Sequence, residues 1–136
     1  MSEFPLLSHV SVGTNDMARA TAFYDAVMAT LGCHQILNLG TAAAYGREFP
    51  VFWVNVPLDE TKPANPGNGI HIAFTAKDQD QVKAFWQAGI DAGAEEDGAP
   101  GPRPEYGAPY YGCFLRDPDG NKIEAVFWDK ALAEKQ

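Results

Sequence analysis

The chain has little cysteine, little positive charge and no long apolar run. Its 136 residues include only Cys33 and Cys113, which form neither a C-x-x-C pair nor a disulfide framework. Two free thiols in a reducing compartment is the plainer reading, with a Cys33–Cys113 bridge as the alternative. Ten Lys and Arg stand against 18 Asp and Glu, a net charge of −8. That balance argues against nucleic acid and against anionic membrane surfaces as partners. No segment approaches the roughly 18 consecutive apolar residues of a membrane span. The opening MSEFPLLSHV lacks the basic start and apolar stretch of a signal peptide. Together these absences point to a cytoplasmic protein. What is present, 46% hydrophobic and 21% charged residues, is ordinary for a globular chain of one domain.

The most informative stretch is Tyr110–Trp128, YYGCFLRDPDGNKIEAVFW. In Asp117-Pro118-Asp119-Gly120-Asn121, Pro118 presets φ and Gly120 and Asn121 tolerate positive φ, which is turn chemistry. Runs rich in aromatic and β-branched residues flank the turn, so the whole predicts a β-hairpin. Glu124 is anomalous, because it sits inside Ile123, Ala125, Val126, Phe127 and Trp128. A carboxylate there must face solvent, pair with a cation such as Arg116 or Lys122, or ligate a metal, since burying it bare is too costly.

Read in order, Leu6–Val12 predicts a strand. Asp16 offers an N-cap, and Met17, Ala20, Phe23, Tyr24, Val27, Met28 and Leu31 recur at helical steps until Gly32 stops them. Short strands are predicted near 34–38, 42–45 and 51–56, followed by the Pro- and Gly-rich linker 57–69. The pattern then restarts: a strand over 69–76, Asp78 as a cap, and a helix carrying Val82, Phe85, Trp86 and Ile90. Residues 93–109 read as a loop before the hairpin. A shift of 62 positions (71 − 9) sets His71 on His9, Ile72 on Val10, Asp78 on Asp16, Phe85 on Phe23 and Trp86 on Tyr24 without a gap. The fold expected is therefore α+β, with paired βαβββ modules (about 6–56 and 70–128) in one domain over 1–136. Their mixed sheet would curl around a central cavity.

The repeat changes the weight of the histidines. A lone strand histidine is more often a satisfied core residue than a ligand. His9 and His71, however, occupy the same place in each module, and Glu124 ends the second. If the modules pack about a pseudo-twofold axis, two imidazoles and a carboxylate converge as a facial-triad donor set, open to substrate. Iron, manganese, zinc and nickel are all compatible metals. The loop RPEYGAPYY puts Tyr106, Tyr110 and Tyr111 within reach of such a site, with Tyr111 as the preferred proton donor beside Glu124. His34 lacks a repeat mate and reads as rim. Cys113 reads as a core thiol.

These marks, His9-Val10, Ala22-Phe23-Tyr24 before Leu31-Gly32, His71-Ile72 and YYGCFLRDPDGNKIEAV, resemble the vicinal oxygen chelate superfamily, also called glyoxalase/bleomycin resistance/dioxygenase. The resemblance covers Leu6 to Trp128 and implies a cupped metal site with His9, His71 and Glu124 as ligands. It also implies a homodimer and a small-molecule substrate. Where glyoxalase I-like members carry a fourth, carboxylate ligand, this chain has Asn55 in PVFWVNV, which weakens that assignment. The function the resemblance implies is a metal-dependent dioxygenase, lyase or isomerase acting on a small oxygenated substrate. Two alternatives are a bleomycin-resistance-type sequestering protein without catalysis and a fosfomycin-type thiol transferase. If the modules swap between chains, His9 would come from one subunit and His71 with Glu124 from the other.

Overall fold

The computed structural model describes residues 4–133. Module 1 is β1 (Val10–Gly13), α1 (Met17–Ala29), β2 (His34–Asn38), β3 (Ala42–Gly46) and β4 (Phe52–Asn55). Module 2 is β5 (His71–Thr75), α2 (Gln79–Asp91), β6 (Glu95–Pro102), β7 (Tyr110–Arg116) and β8 (Lys122–Trp128), followed by a short α3 (Lys130–Ala133). The helices begin and end at the same 62-residue offset (79 − 17 and 91 − 29) that relates the histidines. Each starts where an aspartate in extended backbone takes up a free amide: Asp16 accepts from the Arg19 N–H at 3.0 Å, and Asp78 from that of Gln81 at 2.8 Å. No helix among the described residues is long and apolar enough to cross a membrane.

The paired βαβββ modules form two four-stranded mixed sheets, ordered β1-β4-β3-β2 and β5-β8-β7-β6. They do not close into a barrel. In each, the first strand lies parallel to the last of its module and every other neighbour is antiparallel. This leaves β1 and β5 as sheet edges, and His9 lies one residue before β1. β6 falls inside the stretch 93–109 that the sequence predicted to be loop. EEDGAPGP has none of the composition of a strand, but as an edge strand it needs only one partner. It pairs with β7 through two register shifts, where prolines and glycines are tolerated.

One contiguous core spans both modules. The helix stripe Phe23, Tyr24, Val27 and Met28 meets Tyr45, Phe52 and Val54, and Val82 and Phe85 meet Cys113, Leu115, Ile123 and Ala125. Phe52 of β4 stands edge-on to Phe74 of β5 at 5.0 Å, joining the two halves. Full burial of such a side chain is worth about 1.5–3 kcal/mol.

The predicted turn at 117–121 also holds the modules together. Gly120 adopts φ +88°, which a Cβ would disfavour. Asp117 accepts from the Asp119 and Asn121 amides, both at 2.9 Å, and from the Tyr24 hydroxyl at 2.6 Å. Asp119 reaches into module 1, accepting from the Thr14 hydroxyl (2.5 Å), the Asn15 amide (3.0 Å) and the Arg19 guanidinium (2.8 Å). The Asn121 side chain donates to the Gly13 carbonyl at 3.0 Å. Burial pushes the Asp117 carboxyl above its ordinary range, against the hydrogen bonds that pull it down. Burial, then the neighbouring carboxylate, raises the Tyr24 phenol.

Candidate metal centre

Strand alternation decides what Glu124 faces. In β8, Ile123 and Ala125 enter the core, so Glu124 lies on the opposite face. It is nevertheless only 5% exposed, which requires partners for both oxygens. β5 supplies the first. Ala73 is the register partner of Glu124, so His71, two residues earlier, shares its face and sets Nε2 2.6 Å from Oε1. β7 supplies the second. Phe114 is opposite Glu124, and Tyr110, four residues earlier on that face, donates its hydroxyl to Oε2 at 2.6 Å. Burial, and then Glu124, push the Tyr110 phenol far up, so it remains a donor.

Tyr111, the proton donor expected from the sequence, is displaced by this same periodicity. It sits between Tyr110 and Gly112 on the other face of β7 and packs against the core. Tyr110 is the phenol that meets Glu124. Counting alternate residues back across the hairpin from Glu124 would have selected it, because opposed residues in an antiparallel pair share a face.

Rings wall the pair. Phe114 is edge-on to His71 at 5.8 Å, with the Lys122 ammonium 4.8 Å from its centroid. Tyr110 is edge-on to both Tyr106 (5.0 Å) and Trp128 (5.3 Å), two half-exposed rings. Gly112 leaves the room this needs, since a Cβ there would run into the Tyr110 ring and come within 2.9 Å of the Ala125 carbonyl. Arg116 and Lys122 do not pair with Glu124; both reach Asp97, at 3.2 and 3.5 Å.

His9 stands apart from this pair. It is exposed, its Nδ1 is 3.0 Å from the Ser8 hydroxyl, and its ring is 6.4 Å from that of Trp53. His9 and His71 border one cleft of about 290 Å³ between the edge strands, floored by Leu7, Val10, Val51 and Phe74. Among the described residues, no three His, Cys, Asp or Glu side chains gather closely enough to hold a metal. Two of the three expected donors therefore meet within a chain, and the third does not. An imidazole nitrogen and a carboxylate backed by a phenol suit a divalent ion such as iron, manganese or zinc, but one chain supplies an incomplete set. Of the other candidates, the Asn55 amide donates to the Val56 carbonyl, and His34 is exposed at the start of β2. Cys113 is buried, and loss of solvent pushes its thiol up to about 12, which makes it inert.

Two paired βαβββ modules, each a four-stranded mixed sheet with its helix, are the architecture of one superfamily of small α+β proteins. The model of the Glyoxalase/Bleomycin resistance protein/Dioxygenase superfamily matches residues 6–125, and the chain belongs to that superfamily. A glyoxalase/bleomycin resistance protein from Albidiferax ferrireducens T118 is 37% identical, with a TM-score of 0.82 over 90% of this chain and 98% of that one. The fosfomycin resistance protein FosX from Mesorhizobium loti shares the fold at 18% identity and TM-score 0.64, over 98% of both chains. A FosX from Listeria monocytogenes, solved with Mn(II) and 1S,2S-dihydroxypropylphosphonic acid, is 19% identical with a TM-score of 0.61, over 90% of both chains. No curated protein matches the chain.

Proposed function

We propose that this protein is a metal-dependent enzyme, glyoxalase- or dioxygenase-like, that acts on a small oxygenated substrate. The observation that carries the reading is the buried Glu124, held between His71 Nε2 and the Tyr110 hydroxyl at 2.6 Å each. A carboxylate kept this far from water, with a histidine facing it, suits a ligand pair better than a structural ion pair. His71 and Glu124 would hold the ion together with His9. Because His9 does not join them within a chain, we propose that a second copy supplies it and that the active unit is a homodimer. Exposed Phe4, Leu6, Leu7 and Val51, in the segment before His9 and along the cleft it borders, support such an interface.

A bound divalent ion would supply Lewis-acid stabilisation of negative charge developing on substrate oxygens. The chain's own residues do the rest. Tyr110 holds its proton on Glu124 Oε2, fixing the carboxylate's orientation. Phe74, Val10 and Val51 line the cleft with apolar surface that excludes water from a bound substrate.

A second reading, sequestration of a cationic aromatic ligand without catalysis, is favoured by the half-exposed Tyr106 and Trp128 rings in a chain of net charge −8. Elemental analysis of protein purified without chelator, beside Glu124→Ala, separates the two. Near-stoichiometric iron, manganese, zinc or nickel in the wild type and its loss in the variant are expected. Absence of metal from both, even after reconstitution, would leave sequestration as the function.

A further inference from the structure

A second cavity adjoins His71, away from His9. It measures about 460 Å³ and is lined by Pro66–Ile70, His71, Arg116 and Lys122. Arg116 and Lys122 are direct cross-strand partners in β7 and β8. Like charges so placed repel and destabilise a sheet. One carboxylate, Asp97, is shared between them at 3.2 and 3.5 Å, and it is not part of the pocket lining. The pocket therefore keeps an excess of positive charge in a chain with nearly twice as many acidic as basic residues.

The loop wall carries little side-chain bulk at Gly67 and Gly69. Among the described residues the backbone amides of Asn68 and Gly69 make no hydrogen bond, and a Cβ on Gly69 would meet nothing within 4 Å. A guanidinium and an ammonium around one cavity are groups that recognise an oxyanion. Lys122 is further oriented by the Phe114 ring, which also touches His71. That ring joins the cavity to the candidate metal centre.

We propose that this pocket is an oxyanion subsite, in which Arg116 and Lys122 bind a carboxylate or phosphate-type group. Assigning that group to the substrate, with its oxygenated end turned toward His71 and Glu124, rests on the metalloenzyme reading. Anion binding by the pocket does not.

The test uses the full-length protein free of metal, so that it can fail independently of metal uptake. Inorganic phosphate and acetate are titrated separately while the amide resonances of Asn68, Gly69 and Ile70 are followed by NMR. Saturable shifts that weaken with added chloride are expected, and whichever anion binds more tightly names the group. Lys122→Gln, which loses only its contacts with Asp97 and Phe114, should weaken binding about tenfold by removing one charged partner. Asp97→Asn should strengthen binding by removing the competing carboxylate. Absence of saturable shifts in the wild type, or unchanged affinity in both variants, would overturn the proposal. Metal content of Lys122→Gln, measured alongside, reports on the other reading: normal metal with lost anion binding separates the two sites.

Discussion

Replacing Asp119 with alanine removes the contact through which the β7–β8 turn grips module 1. The side chain is 3% exposed and accepts three hydrogen bonds from Thr14, Asn15 and Arg19. A hydrogen bond to a buried charge is worth about 1.5–3 kcal/mol, but each donor here has some recourse. The Thr14 hydroxyl can turn to the Asp16 carbonyl, 3.1 Å away, and water can reach the exposed Asn15. About 1 kcal/mol for each is the reasonable cost. Arg19 is 46% exposed, and solvent screening holds its share to a few tenths. The sum is about 2–3 kcal/mol, or a fall in Tm on the order of 10 °C for a chain of this size. Urea denaturation followed by tryptophan fluorescence measures it. In a double-mutant cycle with Thr14→Val the double variant should lose less than the sum of the two single losses, because both changes remove the same bond. A loss below about 0.5 kcal/mol would refute the reasoning: the core contacts around Phe52 and Phe74 alone would then hold the modules in register.

Other outcomes follow from the same contacts. Tyr110→Phe keeps the ring stack with Tyr106 and Trp128 but leaves the buried Glu124 Oε2 without its donor, so metal affinity measured by chelator competition should fall about tenfold and stability by about 1–3 kcal/mol. Gly112→Ala pushes the Tyr110 ring off its seat; it should lower both metal affinity and stability, the latter by about 1–3 kcal/mol. Burial raises the Asp117 carboxyl, so the folded chain keeps that proton where the unfolded chain has lost it. Its stabilising contribution is complete below the unfolded value of about 3.9 and is lost as pH rises through the raised folded value. Asp117→Asn removes that dependence, so the wild type's stability relative to the variant should decline across this window. A flat or rising difference in urea midpoints would contradict the assignment.

Much of the architecture was legible from local chemistry. The aspartate caps, the 3–4 spacing of Phe23, Tyr24, Val27 and Met28, and the DPDG turn act within a few residues of one another, so the sequence alone determines them. The 62-residue repeat extended this to the module pairing and put His9, His71 and Glu124 forward as a set. β6 leaves no local signature, because an edge strand rich in Gly, Pro and Glu owes its existence to its partner β7 rather than to its own propensity. Nearness in sequence does not say which of Tyr110 and Tyr111 faces Glu124; only the register of β7 against β8 settles it. The tertiary structure alone also decided that Glu124 and His71 meet while His9 stands off at another sheet edge. Equivalence in a repeat fixes each residue's place within its module. How two modules with unpaired edges face one another depends on long-range packing, which no local pattern encodes.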